Sequence, residues 1–290
     1  KIMGIFIGGL VTSLALALIA IGFGLTFGIS GIANFAHGAF YILAGYLTWS
    51  FLKKVGLPFP LSIILSLLLT SLCGILMYKF ILRRIRGLTI SEIIATFALG
   101  IGIMYLFSTL GFIGPTYYLP RFIEGTVNIA GVEVSCQRLV IIGVGIALLI
   151  FLTLFSRYTK LGLAFRAIAQ NERMSLALGI DTDQIAMLSV AFGCMFAALA
   201  AAIILPLGAI TTEAGFEVLL YAVAISILGG LGSIPGLFLG CFLLGYAQTL
   251  VESYLSPHWT MIVTLAIIYL VLIFRPSGIL GKAREIEERV

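Results

Sequence analysis

The sequence predicts an all-α polytopic membrane protein, because of its composition, its long apolar runs and its scarcity of charge. Of its 290 residues, 61% are hydrophobic and only 10% are charged, and the mean hydropathy is +1.19. Soluble domains carry charge on about 25% of their residues, so this composition excludes an ordinary soluble domain. Membrane β-barrels show short alternating segments instead of continuous apolar runs, so the spans are predicted to be helices.

About 8–10 apolar runs are predicted to cross the membrane, since a bilayer core needs about 20 residues of helix. They are expected to form a single transmembrane domain over residues 1–290. We place nine candidate spans at residues 4–28, 38–52, 61–82, 90–112, 139–156, 185–205, 218–232, 236–252 and 259–274.

The basic residues fall into two alternating sets of loops. The richer set holds Lys79, Arg83, Arg84, Arg86, Arg157, Lys160, Arg166, Arg173, Arg275, Lys282, Arg284 and Arg289. The poorer set holds Lys1, Lys53, Lys54, Arg121 and Arg138. Cytoplasmic loops carry the excess of Lys and Arg, so the richer set is predicted to be cytoplasmic. This places the opening stretch and the C-terminal tail inside, although nine simple spans would place Lys1 outside.

A glycine-rich stretch predicts a broken or re-entrant helix near residues 22–45. Its core, GFGLTFGISGIANFAHG, places five glycines around Asn34 and His37. Non-helical backbone at membrane depth must be buried in protein or line a wet cavity. Such a break would change the parity of the spans and bring Lys1 inside, whereas the alternative is a plain loop. A similar glycine-rich break precedes a span at residues 229–238 and suggests an internal repeat.

The longest polar interruption between the spans is the loop 157–183. It has four basic and three acidic residues, and Leu163, Ile168 and Leu176 keep a helical periodicity. Its place in the richer basic set predicts a cytoplasmic helical contact site for a partner; the alternative is an amphipathic helix on the membrane surface. The outer loop 113–138 has two prolines and alternating β-branched residues. This pattern predicts a small hairpin or a docking surface, or else an ordinary connection.

The sequence offers no catalytic, metal-binding or nucleotide-binding constellation. His37 and His258 lack carboxylates at metal-ligand spacing, and the segment GGLGSIPG lacks the lysine of a phosphate-binding loop. The four cysteines suggest neither a disulfide framework nor a thiolate metal site. There is no basic run for nucleic acid. The chain is therefore predicted to be no enzyme and to hold no cofactor of its own.

Mildly polar residues within the spans are candidates for a translocation path. They are Asn34, His37, Thr96, Ser226 and Gln248. Together they suggest a mostly apolar conduit that lets a solute pass without tight binding, although each alone also fits a hydrogen bond between helices. Carboxylates near the midplane, which ion-coupled carriers usually keep, are missing.

Four segments resemble the permease subunits of branched-chain amino acid ABC importers. They are GLTFGISGIANFAHGAFYILAGY (24–46), YTKLGLAFRAIAQNERMSLALGIDTDQIAMLSVAFG (158–193), AISILGGLGSIPGLFLGCFLLGYAQTL (224–250) and RPSGILGK (275–282). The NFAHG signature at residues 34–38 favours the first of the two paired permeases of such importers. Permeases for urea, short amides and other amino acids look similar.

The resemblance implies a transport subunit for branched-chain or other hydrophobic amino acids in a bacterial or archaeal cytoplasmic membrane, with a cytoplasmic C-terminus. It would pair with a homologous second permease and rest on two cytoplasmic ATPase subunits that hold ATP and Mg. An extracytoplasmic binding protein would deliver the solute, and lipid would surround the spans. The alternative is a secondary carrier or facilitator that works alone on a small polar solute such as urea or an amide.

In such importers a short cytoplasmic coupling helix fits a groove in the ATPase, and residues 164–178 match its position. Gly162 and Gly179 are expected to bracket this helix. Arg166, Gln170 and Arg173 would form one polar face. The residues that the resemblance implies in coupling are Leu163, Ala164, Arg166, Ala167, Gln170, Asn171, Arg173, Met174, Leu178 and Gly179.

Overall fold

The chain folds as a bundle of long apolar helices. The structure is a computed structural model, and it describes residues 2–112, 117–129 and 131–281. Lys1, part of the outer loop and the tail beyond residue 281 lie outside the described residues. Within the described part, eight helices are long and apolar enough to cross a membrane: Ile2–Ser30, Phe59–Ile85, Thr89–Thr109, Cys136–Tyr158, Thr182–Leu207, Thr212–Gly229, Ile234–Tyr254 and Pro257–Phe274. The prediction of a multi-pass helical membrane protein is therefore confirmed.

The long helices lie close to the predicted spans along the chain. The helices are α1 (Ile2–Ser30), α2 (His37–Ser50), α3 (Phe59–Met77), α4 (Arg83–Ile85), α5 (Thr89–Thr109), α6 (Cys136–Tyr158), α7 (Lys160–Gln170), α8 (Glu172–Ala177), α9 (Thr182–Ile204), α10 (Thr212–Gly229), α11 (Ile234–Tyr254) and α12 (Thr260–Phe274). The strands β1 (Thr126–Ile129) and β2 (Val132–Ser135) lie between α5 and α6. A π-helical turn extends α2 over Phe51–Val55, and another, Tyr78–Leu82, joins α3 to α4.

Helix α1 is the centre of the bundle and contacts α6, α9, α10 and α11. It carries no charged residue, and from Gly9 onwards its residues are buried or half-buried, as expected for a helix that is apolar on every side. Its pairing with α11 is antiparallel over the full length. Gly9 packs against the ring of Tyr246 at one end, and Gly28 packs against the backbone of Gly232 at the other.

The bundle has two ends, which we call the hairpin end and the α7–α8 end. At the hairpin end, Gly4 of α1 lies beside Val132 of β2. At the α7–α8 end, Arg86 forms an ion pair with Glu172, and Leu280 lines the same groove as Arg166. The opening stretch therefore lies at the end opposite to Leu280, and for the described residues the expectation that the opening stretch and the C-terminal segment lie on the same side is wrong.

The outer loop contains the small hairpin that its alternating pattern predicts. Strands β1 and β2 pair antiparallel, with Thr126 opposite Ser135 and Ile129 opposite Val132. Val134 points inward and is buried, whereas Val127 is exposed. This hairpin is a small departure from an otherwise helical chain within the described residues.

The break in the first glycine-rich stretch is present, and it lies inside the bundle as a broken helix. Helix α1 ends at Ser30 and α2 begins at His37, so the plain-loop alternative does not hold. Nε2 of His37 lies 2.9 Å from the carbonyl oxygen of Ile19, which lies roughly 16 Å back along α1 from Ser30. Residues 31–36 therefore turn back into the bundle before α2 starts.

The break does not change the parity of the spans. The prediction for the opening stretch was wrong because it required such a change. From its start deep in the bundle, α2 runs to the hairpin end, where the hydroxyl of Tyr46 donates to the carbonyl oxygen of Phe112. Helices α1 and α2 thus act as two successive passes. The second break, at residues 230–233, also precedes a helix but lies beside Gly28 near the end of α1. The internal repeat stays a prediction.

Candidate functional site

Helix α7 is anchored to the α7–α8 end of the bundle by its apolar side. Phe165 and Ile168 are buried, one helical turn apart on the same face. The side chain of Thr159 caps the helix by accepting a hydrogen bond from the backbone N–H of Gly162 at 2.9 Å. The expectation that Gly162 precedes the helix is wrong: it lies in the first turn, packed so closely on the carbonyl of Phe155 that a side chain would collide with it.

The expected single helix over residues 164–178 is instead two helices that meet at Asn171. This residue is extended (φ −157°, ψ 108°), and its Oδ1 accepts a hydrogen bond from the backbone N–H of Met174 at 3.0 Å. The same residue thus ends α7 and caps α8, because a short amide side chain competes well with helical backbone bonding. Arg173 consequently lies on a different helix from Arg166 and Gln170.

Helix α8 ends at a glycine, as the sequence predicts for Gly179. The residue has φ +82°, a left-handed conformation that favours glycine. Its N–H donates to the carbonyl of Leu176, and the N–H of Ile180 donates to the carbonyl of Ser175. These two bonds form a Schellman motif, which closes the helix and turns the chain towards α9.

The ten residues implied in coupling lie on the outer side of α7 and α8, which we call the α7–α8 surface. Ala164 and Ala167 are half-buried and the other eight are exposed. Leu163, Met174 and Leu178 expose 59%, 64% and 78% of their surface. Neither Arg166 nor Arg173 forms an ion pair within the part of the chain that the structure describes. Clustered apolar side chains beside free basic groups are typical of a surface that contacts another protein.

A groove of about 790 Å³ runs beside this surface. Arg166 and Gln170 of α7 line one wall, Arg157 of α6 lies at its edge, and the second break forms the facing wall at residues 231–235. Helix α7 therefore lies next to the loop between α10 and α11. A displacement of α7 would change the shape of this groove.

An ion-pair network ties α8 and α9 to the turn between α4 and α5. Arg86 donates from Nη1 to Oδ1 of Asp183 at 2.8 Å and from Nη2 to Oε1 of Glu172. Arg83 pairs with Oδ2 of the same aspartate at 2.8 Å, and the hydroxyl of Tyr78 donates to its Oδ1 at 2.7 Å. Burial lowers the pKa of Arg86, but Tyr78, Glu172 and Asp183 outweigh it and raise that pKa above its ordinary value. The guanidinium therefore stays charged.

This network was missed by the sequence reasoning. The two sides of the network lie 86 to 105 residues apart along the chain, and ion pairs at such separations leave no periodic signal in the sequence. The only available hint was that the acidic residues Glu172 and Asp183 lie in a loop of the richer basic set. Charge counting alone assigns them to a solvated surface.

The structure brings three of the five candidate path residues together at the first break. Oγ1 of Thr96 on α5 accepts from the backbone N–H of Phe35 at 3.1 Å, and Oδ1 of Asn34 accepts from the N–H of Ala36 at 3.1 Å. His37 contacts the carbonyl of Ile19, and since a carbonyl only accepts, its Nε2 carries the proton. These side chains satisfy irregular backbone at membrane depth, as a buried break requires.

The other two candidate path residues lie away from this break. Nε2 of Gln248 donates to Oγ1 of Thr264 at 3.0 Å and joins α11 to α12. Ser226 donates to the carbonyl of Ala222 within α10, and it lines a small cavity together with Gly24 of α1 and Leu237 of α11. For Gln248 the geometry fits the alternative of a helix–helix hydrogen bond.

Comparison with known proteins identifies similar chains over nearly the whole length. The family described as branched-chain amino acid transport system / permease component matches residues 5–272. The permease protein BraD of the high-affinity branched-chain amino acid transport system of Pseudomonas aeruginosa is 33% identical over 290 residues, covering 95% of this chain and 94% of BraD. The corresponding permease LivH of Salmonella typhimurium is 31% identical, covering 92% of this chain and 91% of LivH.

A solved structure shares the fold. PsaBC from Streptococcus pneumoniae, in complex with Fab, matches with a TM-score of 0.52 and 14% sequence identity, over 92% of this chain and 90% of that one. At this identity the similarity concerns the arrangement of the helices alone.

Proposed function

The chain belongs to the family of branched-chain amino acid transport permeases, and from that premise we propose that it is the membrane subunit of an ATP-driven importer of branched-chain or other hydrophobic amino acids. It is a transport subunit, as its relatives are, and not an enzyme. The α7–α8 surface contacts a cytoplasmic ATPase, which holds the ATP and Mg. The protein resides in a bacterial or archaeal cytoplasmic membrane, with the α7–α8 end and the C-terminus in the cytoplasm.

The observation that carries this proposal is the α7–α8 surface itself. Helix α7 is fixed to the bundle by buried Phe165 and Ile168, and α8 follows it directly, yet the two helices expose three large apolar side chains and two guanidiniums. A helix lying on a membrane would bury its apolar side in lipid and have no need of an anchoring cap, turn and ion-pair network. A firmly held surface of this kind can transmit a push from a partner.

The remaining partners are those that the family implies. A second, homologous permease would pack beside this chain and share the translocation path. The residues that line this path or hold its walls in place are Asn34, His37, Thr96, Ser226 and Gln248. An extracytoplasmic binding protein would deliver the amino acid at the hairpin end. Lipid covers helices such as α12, whose residues are mostly exposed.

The experiment is a charge reversal on the α7–α8 surface. The double variant Arg166→Glu and Arg173→Glu should lose association with the ATPase subunits during co-purification, because both free guanidiniums become carboxylates at the contact. ATP-dependent amino acid uptake into proteoliposomes should fall at least about tenfold, as expected when charges at an interface are reversed.

The matched control is Arg84→Glu, which reverses an exposed charge at the same end but outside the surface. It should retain association and uptake close to the wild type. Wild-type association and uptake in the double variant would refute the assignment of the contact surface.

A further inference from the structure

We propose that Arg86 is the positioning residue that transmits movement of α8 to the first break, residues 31–36, through helix α5. This inference rests on the proposed function, since it assumes that a partner moves the α7–α8 surface. Its central residues, Arg86, Glu172 and Glu92, lie outside that surface and outside the candidate path. The connection is a continuous series of hydrogen bonds between α8 and residues 31–36.

The first step joins α8 to the turn before α5. Nη2 of Arg86 holds Glu172, the first residue of α8, while Nη1 holds Asp183 at the start of α9. The guanidinium is the group that can hold both carboxylates at once, because its planar fork presents donors in fixed directions. Only 19% of this side chain is exposed, so solvent competes weakly with the two bonds.

The second step joins the turn to α5. The residue after Arg86, Gly87, donates its backbone N–H to Oε1 of Glu92 at 2.8 Å. Glu92 is buried in the first turn of α5, where a carboxylate also interacts favourably with the positive end of the helix dipole. The turn is thereby fixed to the helix that follows it, so a shift of Arg86 displaces the start of α5.

The third step joins α5 to the break. The buried positions of this helix repeat every four residues over most of its length, at Glu92, Thr96, Gly100 and Met104, so they share one face. Thr96 accepts from the N–H of Phe35, and a methyl group at Gly100 would lie 3.2 Å from Cα of Ala36. Helix α5 thus contacts the break at two successive turns, through Thr96 and Gly100.

These steps connect α8 with the break at residues 31–36, although no single helix joins the two. The break is held partly by side chains: Oγ1 of Thr96 accepts from the N–H of Phe35, which also donates to the carbonyl of Ala33, and Oδ1 of Asn34 accepts from the N–H of Ala36. A small axial movement of α5 therefore has a direct effect on residues 31–36. This gives a push on the α7–α8 surface a physical route to membrane depth, whereas proximity alone would leave the coupling unexplained.

The test measures amino acid transported per ATP hydrolysed in the complete importer reconstituted in proteoliposomes. Glu172→Gln should lower this ratio about fivefold or more, within the range of effects for residues that couple two sites. ATPase association and the rate of hydrolysis should stay near the wild type, which a merely structural role would not predict. Arg86→Lys, which keeps the charge but cannot hold both carboxylates, should lower the ratio in the same way.

The matched control is Arg83→Gln, which removes the exposed partner of Asp183 and leaves both bonds of Arg86 in place. Its ratio should equal that of the wild type. An unchanged ratio in both Glu172→Gln and Arg86→Lys would overturn the inference, and so would an equal loss in Arg83→Gln. Failure of the proposed function would look different, because the wild type itself would then show no ATP-dependent uptake.

Discussion

At the scale of single residues, several helices of the bundle approach each other so closely that their backbones are in contact. Gly38 of α2 faces the carbonyl of Gly215 on α10 so closely that no side chain fits between them, and Gly28 of α1 touches Gly232 in a similar manner. Small residues at helix contacts are typical of membrane proteins, where apolar burial gains little over contact with lipid. The helices beside the break are therefore held by close steric fit between their backbones.

Replacing Gly38 should test this packing directly. We expect Gly38→Ala to destabilise the protein by about 1–3 kcal/mol, because the added methyl group forces α2 away from α10. The measurement is thermal unfolding of the purified protein in detergent. Gly102→Ala is the control, since this glycine of α5 has nothing within 4 Å of the added group, and it should be neutral or slightly stabilising. Equal effects of the two substitutions would contradict the account.

At the scale of elements, the predicted spans were close to the observed helices because apolar runs determine where a helix can cross the membrane. The candidate spans 61–82 and 139–156 fall within the observed Phe59–Ile85 and Cys136–Tyr158. The glycine-rich run likewise predicted the break before His37. What could not be predicted was where α2 goes afterwards, because direction depends on tertiary contacts such as that between Tyr46 and Phe112.

Some features of the α7–α8 surface could likewise be predicted from the sequence, and others could not. Its position between α6 and α9 and its terminal Gly179 followed from the sequence. The turn at Asn171 did not, because the helical periodicity on both sides of this residue suggested one helix. Asparagine within a helical pattern is ambiguous: it can face solvent or cap a new helix, and only the observed bond to Met174 decides.

The cap at Asn171 leads to a prediction for α8. Asn171→Ala should destabilise α8 by about 1 kcal/mol, because the backbone N–H of Met174 loses its acceptor. Hydrogen exchange followed by mass spectrometry should show faster exchange in residues 174–178 and little change in α7 up to Ile168. Asn171→Asp keeps the acceptor and should exchange like the wild type. Equally fast exchange in both variants would show that the side-chain cap has no part in holding α8.

At the scale of the whole molecule, the two ends of the bundle differ in their charge and in their structure. Basic loops and the α7–α8 surface lie at one end, and the hairpin lies at the other with the start of α1. Counting basic residues gave the correct grouping of the loops at residues 83–86 and 157–183. It misplaced the opening stretch, because the parity of the spans depends on a break whose geometry no composition rule describes.

The orientation can be tested with a matched pair of cysteines. In a Cys136→Ser background, Met3→Cys should react with a membrane-impermeant maleimide in intact cells, whereas Met174→Cys should react only after the membrane is opened. Both methionines are exposed, at 45% and 64% of their surface, so access from each side is what differs. Reaction of both positions from the same side would contradict the placement of the two ends.

The central claim is that this chain transports amino acids only with ATP-hydrolysing partners. The most direct measurement is uptake of radiolabelled leucine into proteoliposomes that contain the chain with its second permease, both ATPase subunits and the binding protein. We expect uptake when ATP is enclosed in the proteoliposomes, and none when ATP or the ATPase subunits are left out. Uptake by the chain alone at the rate of the complete assembly would contradict it and identify a carrier that needs no partner.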